Sequence, residues 1–175
     1  MSDLTVYFIR HGDAERGAEG GDSNRSLSGR GRQITRQVAQ LLSEKAEPID
    51  QVYCSPLVRA VQTAEILIPQ QDCDDAVEIQ PLIAFPPSLK SVLDLVDICP
   101  TNKAGLAIVG HEPTLSGLVA HLLKSDNKMT AEGGSRWQGF YPSQIVAFTY
   151  NRNLRSWAFQ WQILPDGPRL IHSIQ

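Results

Sequence analysis

Arg10-His11-Gly12, Arg59 and Gly110-His111-Glu112 put two guanidinium groups and two imidazoles at three separated points of the chain. A neutral imidazole is a good nucleophile near neutral pH. A guanidinium offers a planar fork of N–H donors that suits the paired oxygens of a phosphoryl group. Gly12 lets the backbone come close to a ligand. Arg59 lies in a segment opened by Ser55-Pro56, where serine serves as N-cap and proline takes the first helical position. The start of that helix is itself an anion site, because its N–H groups are unpaired. His111, with an ordinary pKa near about 6.5, would gain a proton beside a dianion and donate to its oxygens. Brought together, these groups make a pocket for a tetrahedral dianion, with Asp13 and Glu112 as the nearest carboxylates in sequence. Taken singly, each has a bland role as a cap or a surface ion pair. Only the ordered set points to chemistry.

Whether the set meets depends on the elements between. Leu4 to Ile9 is an almost continuous apolar, β-rich run, as in a strand buried on both faces. A glycine- and charge-rich loop follows to Arg25. Ser28 then caps a helix whose stripe is Ile34, Val38, Leu41 and Leu42, ended by Pro48. Asp50 to Cys54 is a second strand. Leu57, Val61, Ala64 and Leu67 stripe the next helix, which Pro69 stops. Glu78-Ile79-Gln80 reads as an edge strand, Ser88 to Ile98 as a helix, Leu106 to Val109 as a buried strand, and Pro113 as the start of a helix through Leu123. A polar stretch, Ser125 to Ser143, precedes two strands, Gln144–Tyr150 and Trp157–Ile163, joined by a turn at Asn151-Arg152-Asn153. Strands alternating with helices imply an α/β fold in three layers, α/β/α, with a mostly parallel mixed sheet and a C-terminal antiparallel hairpin. No linker or repeat divides residues 1–175, so one domain is expected. In such sheets ligands sit beyond the carboxyl ends of the strands, and each of the three candidate segments lies just past one.

Composition narrows the partners. A hydrophobic content of 42% supports a core, and 20% charged residues are too few for a disordered chain. The net charge of −3 gives no basic field, so neither nucleic acid nor an anionic membrane is an expected partner, and any anion site must be a local arginine cluster. The N-terminus carries no secretory signal, and no run reaches the roughly 20 apolar residues of a membrane helix. Cys54, Cys73 and Cys99 are odd in number and never spaced as C-x-x-C. They read as reduced thiols in a cytoplasmic protein.

Other patterns compete for attention. Cys54 and Arg59 approach the C-x5-R loop of thiol phosphatases, but only four residues separate them and no glycine-rich cradle intervenes. His11, Asp13, His111 and Glu112 could hold a metal, although Arg10 and Arg59 would repel it. Gly17 to Ser23 lacks the Gly-Lys-Ser/Thr ending of a nucleotide P-loop. His121 and His172 read as ordinary surface residues, and Trp157 and Trp161 as packing. Trp137, Phe140 and Tyr141 could form a lid or docking surface, or simply pack.

Phe8-Ile9-Arg10-His11-Gly12, then Ser55-Pro56-Leu57-x-Arg59-Ala60-x-Gln62-Thr63-Ala64, then Gly110-His111-Glu112-Pro113 resemble the histidine phosphatase superfamily. Arg25-Ser26-Leu27-Ser28-x-x-Gly31, Tyr141-Pro142-Ser143 and the short chain are similar to its SixA branch of phosphohistidine phosphatases. The resemblance implies a phosphoglycerate mutase-like fold and a role in signal transduction. His11 would be the nucleophile that forms a phosphohistidine, with Arg10, Arg59, His111 and Gly12 around the phosphoryl oxygens and no metal or other cofactor. It implies a phosphorylated protein as partner, such as a histidine phosphotransfer domain, and a monomeric enzyme. Larger members place a proton-donating carboxylate near the segment here read Pro81-Leu82-Ile83-Ala84-Phe85-Pro86, which has none. Asp13 and Glu112 are then the acids in view, and a substrate that leaves from nitrogen is favoured over an alkyl ester. A small-molecule phosphomonoesterase with the same nucleophile, a metal-dependent phosphoesterase and a non-catalytic phosphoprotein-binding module remain alternatives.

Overall fold

The computed structural model describes residues 3–45, 48–70, 77–83, 88–126 and 137–174. Its centre is β1 (Leu4–Arg10), whose side chains alternate between two cores as a pleated strand requires. Leu4, Val6 and Phe8 enter one apolar cluster, while Tyr7 and Ile9 enter the other. The neighbouring strand β4 (Gly105–Gly110) divides in the same way, with Leu106 and Ile108 on the first side and Ala107 and Val109 on the second.

A seven-stranded sheet runs β3-β2-β4-β1-β5-β6-β7. It comprises β1 and β4 with β2 (Gln51–Cys54), β3 (Val77–Ile79), β5 (Ile145–Asn151), β6 (Ser156–Leu164) and β7 (Arg169–Ile171). The pairs β2–β3, β2–β4 and β1–β4 are parallel, and those of β5 with β1 and β6, and of β6 with β7, are antiparallel. Helices α1 (Gly29–Lys45) and α2 (Val58–Leu67) cover one face through Val38, Leu42, Ala60 and Leu67. Helices α3 (Leu89–Ile98) and α4 (Thr114–Ser125) cover the other through Val92, Leu95, Leu118 and Leu122. The expected three-layer α/β fold with a mixed sheet is therefore present.

Two local readings change and one open alternative narrows. The helix expected to open at Ser55-Pro56 starts at Val58, with Leu57 at its cap position and no side-chain cap bond. Ser55 is fully buried and engaged elsewhere, as described below. The C-terminal hairpin gains a third strand, β7, which three residues after a turn could not announce by periodicity. Trp137 and Phe140 pack: the indole Nε1 donates to the Ser116 carbonyl at 3.0 Å and the two rings meet edge to face. Tyr141 remains exposed. Residues 127–136 of the polar stretch, 84–86 of the segment Pro81 to Pro86 and Cys73 lie outside the described residues.

Candidate active site

β1 and β4 are adjacent and parallel, with Arg10 opposite Gly110 in register. That pairing is what makes His11 and His111 neighbours, one residue beyond each strand, with ring centroids 5.0 Å apart. The end of β1 is pinned from the other side as well. Ser143, at φ 67°, donates its N–H to the carbonyls of both Arg10 and His11 at 3.2 Å. Gly12 is required by close approach: a Cβ there would sit 2.6 Å from Thr35 Oγ1. Its N–H donates to Thr63 Oγ1 at 3.1 Å, and Thr63 in turn donates to the Arg59 carbonyl at 2.7 Å. The Gln62 side chain accepts from Leu27 N at 2.7 Å, so the Gln62-Thr63 pair ties the first turn of the loop and the second helix together. Gly31 is needed for the same reason as Gly12, since a Cβ would meet the Asp13 carbonyl at 2.0 Å.

A cavity of about 360 Å³ opens at this point, lined by Arg10, His11, Asp22, Arg59, His111 and Glu112. His11 Nδ1 lies 2.7 Å from its neighbour's carbonyl, Gly12 O, and its Nε2 lies 3.2 Å from Arg59 Nε. The guanidinium can only donate. Nε2 is therefore the acceptor, Nδ1 carries the proton, and the lone pair of Nε2 is directed at the Arg59 N–H on the cavity wall. Burial, with Arg59, Arg10 and Arg25 nearby, lowers the His11 pKa to about 4, so the ring is neutral. His111 is 2% exposed and is lowered further, to about 3, chiefly by burial and then by His11 and Arg59. Its Nε2 meets Ser55 Oγ at 2.6 Å.

Arg59 is 6% exposed and sits at the second position of α2, because the helix starts later than Ser55-Pro56 implies. Its Nη1 donates to the Asp22 carbonyl at 2.7 Å, and its Nη2 to Asp22 Oδ2 at 2.9 Å. Arg10 Nη1 donates to the Phe140 carbonyl at 2.6 Å. Burial lowers the Arg10 pKa, and the charges of Glu112 and Asp13 oppose that shift. The two carboxylates proposed as acids part company. Asp13 is exposed and accepts from Ser28 Oγ at 2.8 Å, at the start of α1 and off the cavity wall. Glu112 lines the cavity; its Oε2 accepts from Ser116 Oγ. Among the described residues, Arg10 Nε, His111 Nδ1 and Glu112 Oε1 are buried without a hydrogen-bond partner. All three belong to this wall.

Asp22 escaped sequence reasoning because it stands in a glycine-rich loop without periodicity. Its only signal was the three-residue spacing from Arg25, which one 3-10 turn (Asp22–Asn24) turns into an ion pair. Ser55, whose place before Pro56 is the signature of a helix cap, bonds His111 instead. Cys54 is fully buried with its thiol pushed up to about 11, chiefly by burial. His121 and His172 lie away from the cavity wall. Among the described residues no group of three or more His, Cys, Asp or Glu is placed to hold a metal. Among them, no helix is long and apolar enough to cross a membrane.

Residues 6–83 match the model of the histidine phosphatase superfamily (branch 1). An uncharacterized protein from Picosynechococcus is 42% identical over 65 residues, 37% of this chain and 39% of that protein. The phosphohistidine phosphatase SixA of Escherichia coli is 26% identical over 173 residues, 98% of this chain and all of the relative. In three dimensions, the protein histidine phosphatase SixA complexed with tungstate superposes with a TM-score of 0.79 at 26% identity, over 94% of this chain and 99% of that one.

Proposed function

We propose, from the premise that this chain is a phosphatase belonging to the histidine phosphatase superfamily, that it hydrolyses phosphohistidine on a protein through a covalent phosphohistidine at His11 and without a metal. The observation that carries this reading is the cavity wall itself: a neutral imidazole with its lone pair free of a proton, two guanidiniums and a second imidazole around one space. The full-length similarity to a phosphohistidine phosphatase supports the substrate. The partner is then a phosphorylated protein such as a histidine phosphotransfer domain, met in the cytoplasm.

In the first step the Arg59 Nε–H turns from His11 Nε2 to a phosphoryl oxygen, and the Nε2 lone pair it frees attacks phosphorus. A new N–P bond forms while the substrate's P–N bond breaks, and the leaving nitrogen takes a proton. Arg10, Arg59 and His111 hold the oxygens over which charge spreads, and fixed donors cost no reorganisation at that moment. His111 Nδ1, buried and unpartnered, points to that use if Ser55 donates to Nε2 and so places the ring proton on Nδ1. Water then attacks phosphorus, the His11 N–P bond breaks, and phosphate departs. Glu112 lines the cavity and Asp13 does not, which supports Glu112 as the carboxylate that gives the first proton and takes one from water. The two arginines supply the positive charge a metal would otherwise bring.

Acid-labile label from a radioactive phosphodonor, trapped on His11 and absent in His11→Ala, is the expected result. Label on Cys54 or on no residue, or activity lost in EDTA and restored by zinc or manganese, would overturn it. Sugar phosphates turned over faster than a phosphohistidine protein would reassign the substrate alone.

A further inference from the structure

We infer that Asp22 is a positioning residue, which holds the Arg59 guanidinium in the orientation that receives a phosphoryl group. The inference rests on the phosphoryl site proposed above. Asp22 grips Arg59 twice, by its carbonyl on Nη1 at 2.7 Å and by Oδ2 on Nη2 at 2.9 Å. Its other oxygen, Oδ1, accepts from Arg25 Nη1 at 2.9 Å, and Arg25 Nε donates to the Glu15 carbonyl at 2.5 Å. The carboxylate is thus the middle of a chain that fastens a buried arginine to the surface loop. Arg59's side chain is 7% exposed and Asp22's is 64%, so the clamp sits at the cavity mouth.

A guanidinium has five N–H donors in one plane. With Nε on His11 and one hydrogen of each Nη on Asp22, one hydrogen of Nη1 and one of Nη2 remain free of these contacts. Both terminal nitrogens are thus tied to one residue, which fixes the plane in which the remaining donors meet a tetrahedral anion. Fixing the plane in advance removes an ordering cost that would otherwise fall on the reaction. Arg25 and Arg59 hold the Asp22 pKa below the ordinary carboxylate range, so the clamp is an anion and not the missing proton donor.

A competing reading has the carboxylate occupying the phosphate's own place, as a blocker. Asp22→Asn and Asp22→Ala separate the two: both remove the charge, and only the first keeps an acceptor for Nη2. Two measurements apply, binding of inorganic phosphate by calorimetry and kcat with phosphoramidate. Positioning predicts that Asp22→Ala loses about tenfold or more in kcat with weaker phosphate binding, and that Asp22→Asn recovers most of both. It also predicts that Asp22→Ala adds no further loss in the Arg59→Ala background. Equal behaviour of the Asn and Ala variants, tighter phosphate binding in both, or a full additional loss without Arg59 would overturn it. The calorimetric cycle reads the clamp even if the wild type proves inert toward phosphoramidate, so failure of the substrate reading is seen separately.

Discussion

The two ends of the same sheet are both crowded with charge, yet they treat it in opposite ways. At the amino ends of the parallel strands, Asp50 Oδ2 accepts from the N–H groups of Ala104 and Gly105 at 2.7 and 2.9 Å. Arg152, just past β5, donates to the carbonyls of Cys99, Pro100 and Lys103 at 2.8, 3.1 and 3.4 Å. Tyr150 donates to Asp97 Oδ1 at 2.8 Å, and Arg155 pairs with the same carboxylate. There, among the described residues, Arg152 Nε is the buried polar atom left without a partner. At the carboxyl ends, three polar atoms on one cavity wall lack partners and two imidazoles are held neutral by burial. Unmet hydrogen-bonding capacity costs folding energy. Its concentration at one end marks that end as built for something other than stability.

That contrast breaks first at His11. His11→Ala should lower kcat by about five to six orders of magnitude, as loss of a covalent nucleophile does, while the thermal midpoint stays level or rises. A variant that retained turnover would remove the chemical meaning of the carboxyl end. Arg59→Ala comes next, with kcat down about a hundred- to a thousandfold, the scale of losing one preorganised donor to a developing oxyanion. Steady-state kinetics with phosphoramidate reads both.

The third test is pH. His11 and His111 titrate at about 4 and about 3 when folded, against 6.5 ordinarily. A depressed histidine pKa means that the unfolded chain binds protons first. Stability from these rings is intact above about pH 6.5 and falls as pH drops toward the folded values, by on the order of a few kcal/mol together. Urea unfolding between pH 7 and pH 4 should show this loss, and His11→Ala should show less of it. Bound phosphate should oppose it, because a dianion favours the protonated rings. Equal pH slopes in the two proteins would mean that the imidazoles are not strained by burial.

Legibility in the sequence follows the same division. The strand cores and helix stripes were readable because burial imposes periods on side chains, as in Leu4 to Ile9 or Leu115, Leu118 and Leu122. Arg10, His11, Arg59 and His111 were readable because their order and spacing are tied to strand ends. Ser55 misled, because a serine before a proline carries the same signature whether it caps a helix or bonds a histidine 56 positions on. Asp22 was invisible for a related reason: its partner Arg59 is 37 residues away, and the loop that carries Asp22 has no periodicity to predict the meeting. Asp13 and Glu112 each stand within two residues of a candidate histidine, so sequence proximity alone did not separate them; in the fold Glu112 lines the cavity and Asp13 does not.

At the amino end, Arg152→Ala should cost about 2 kcal/mol, since it strips donors from three carbonyls, and lower the thermal midpoint by about 4–8 °C. Turnover at 25 °C should not change. A kinetic defect there would couple the two ends and dissolve the contrast.

The smallest effect should come from inside the active end. Cys54 closes β2, next to the Ser55 that engages His111, yet it belongs to the apolar wall beneath the site and not to the cavity lining. Its thiol, pushed up to about 11, is protonated at neutral pH and so is no nucleophile. Cys54→Ser places a hydroxyl in the apolar cluster that holds Ala60 and Val109, which costs about 1–2 kcal/mol of folding stability, and should leave kcat and KM as they were. Iodoacetamide, which needs a thiolate, should likewise spare the folded enzyme's activity. Inactivation by either route would transfer the chemistry from imidazole to sulfur. Retention of activity by both would confine the reactive groups to the loops beyond the strands and leave the strand ends themselves as scaffold.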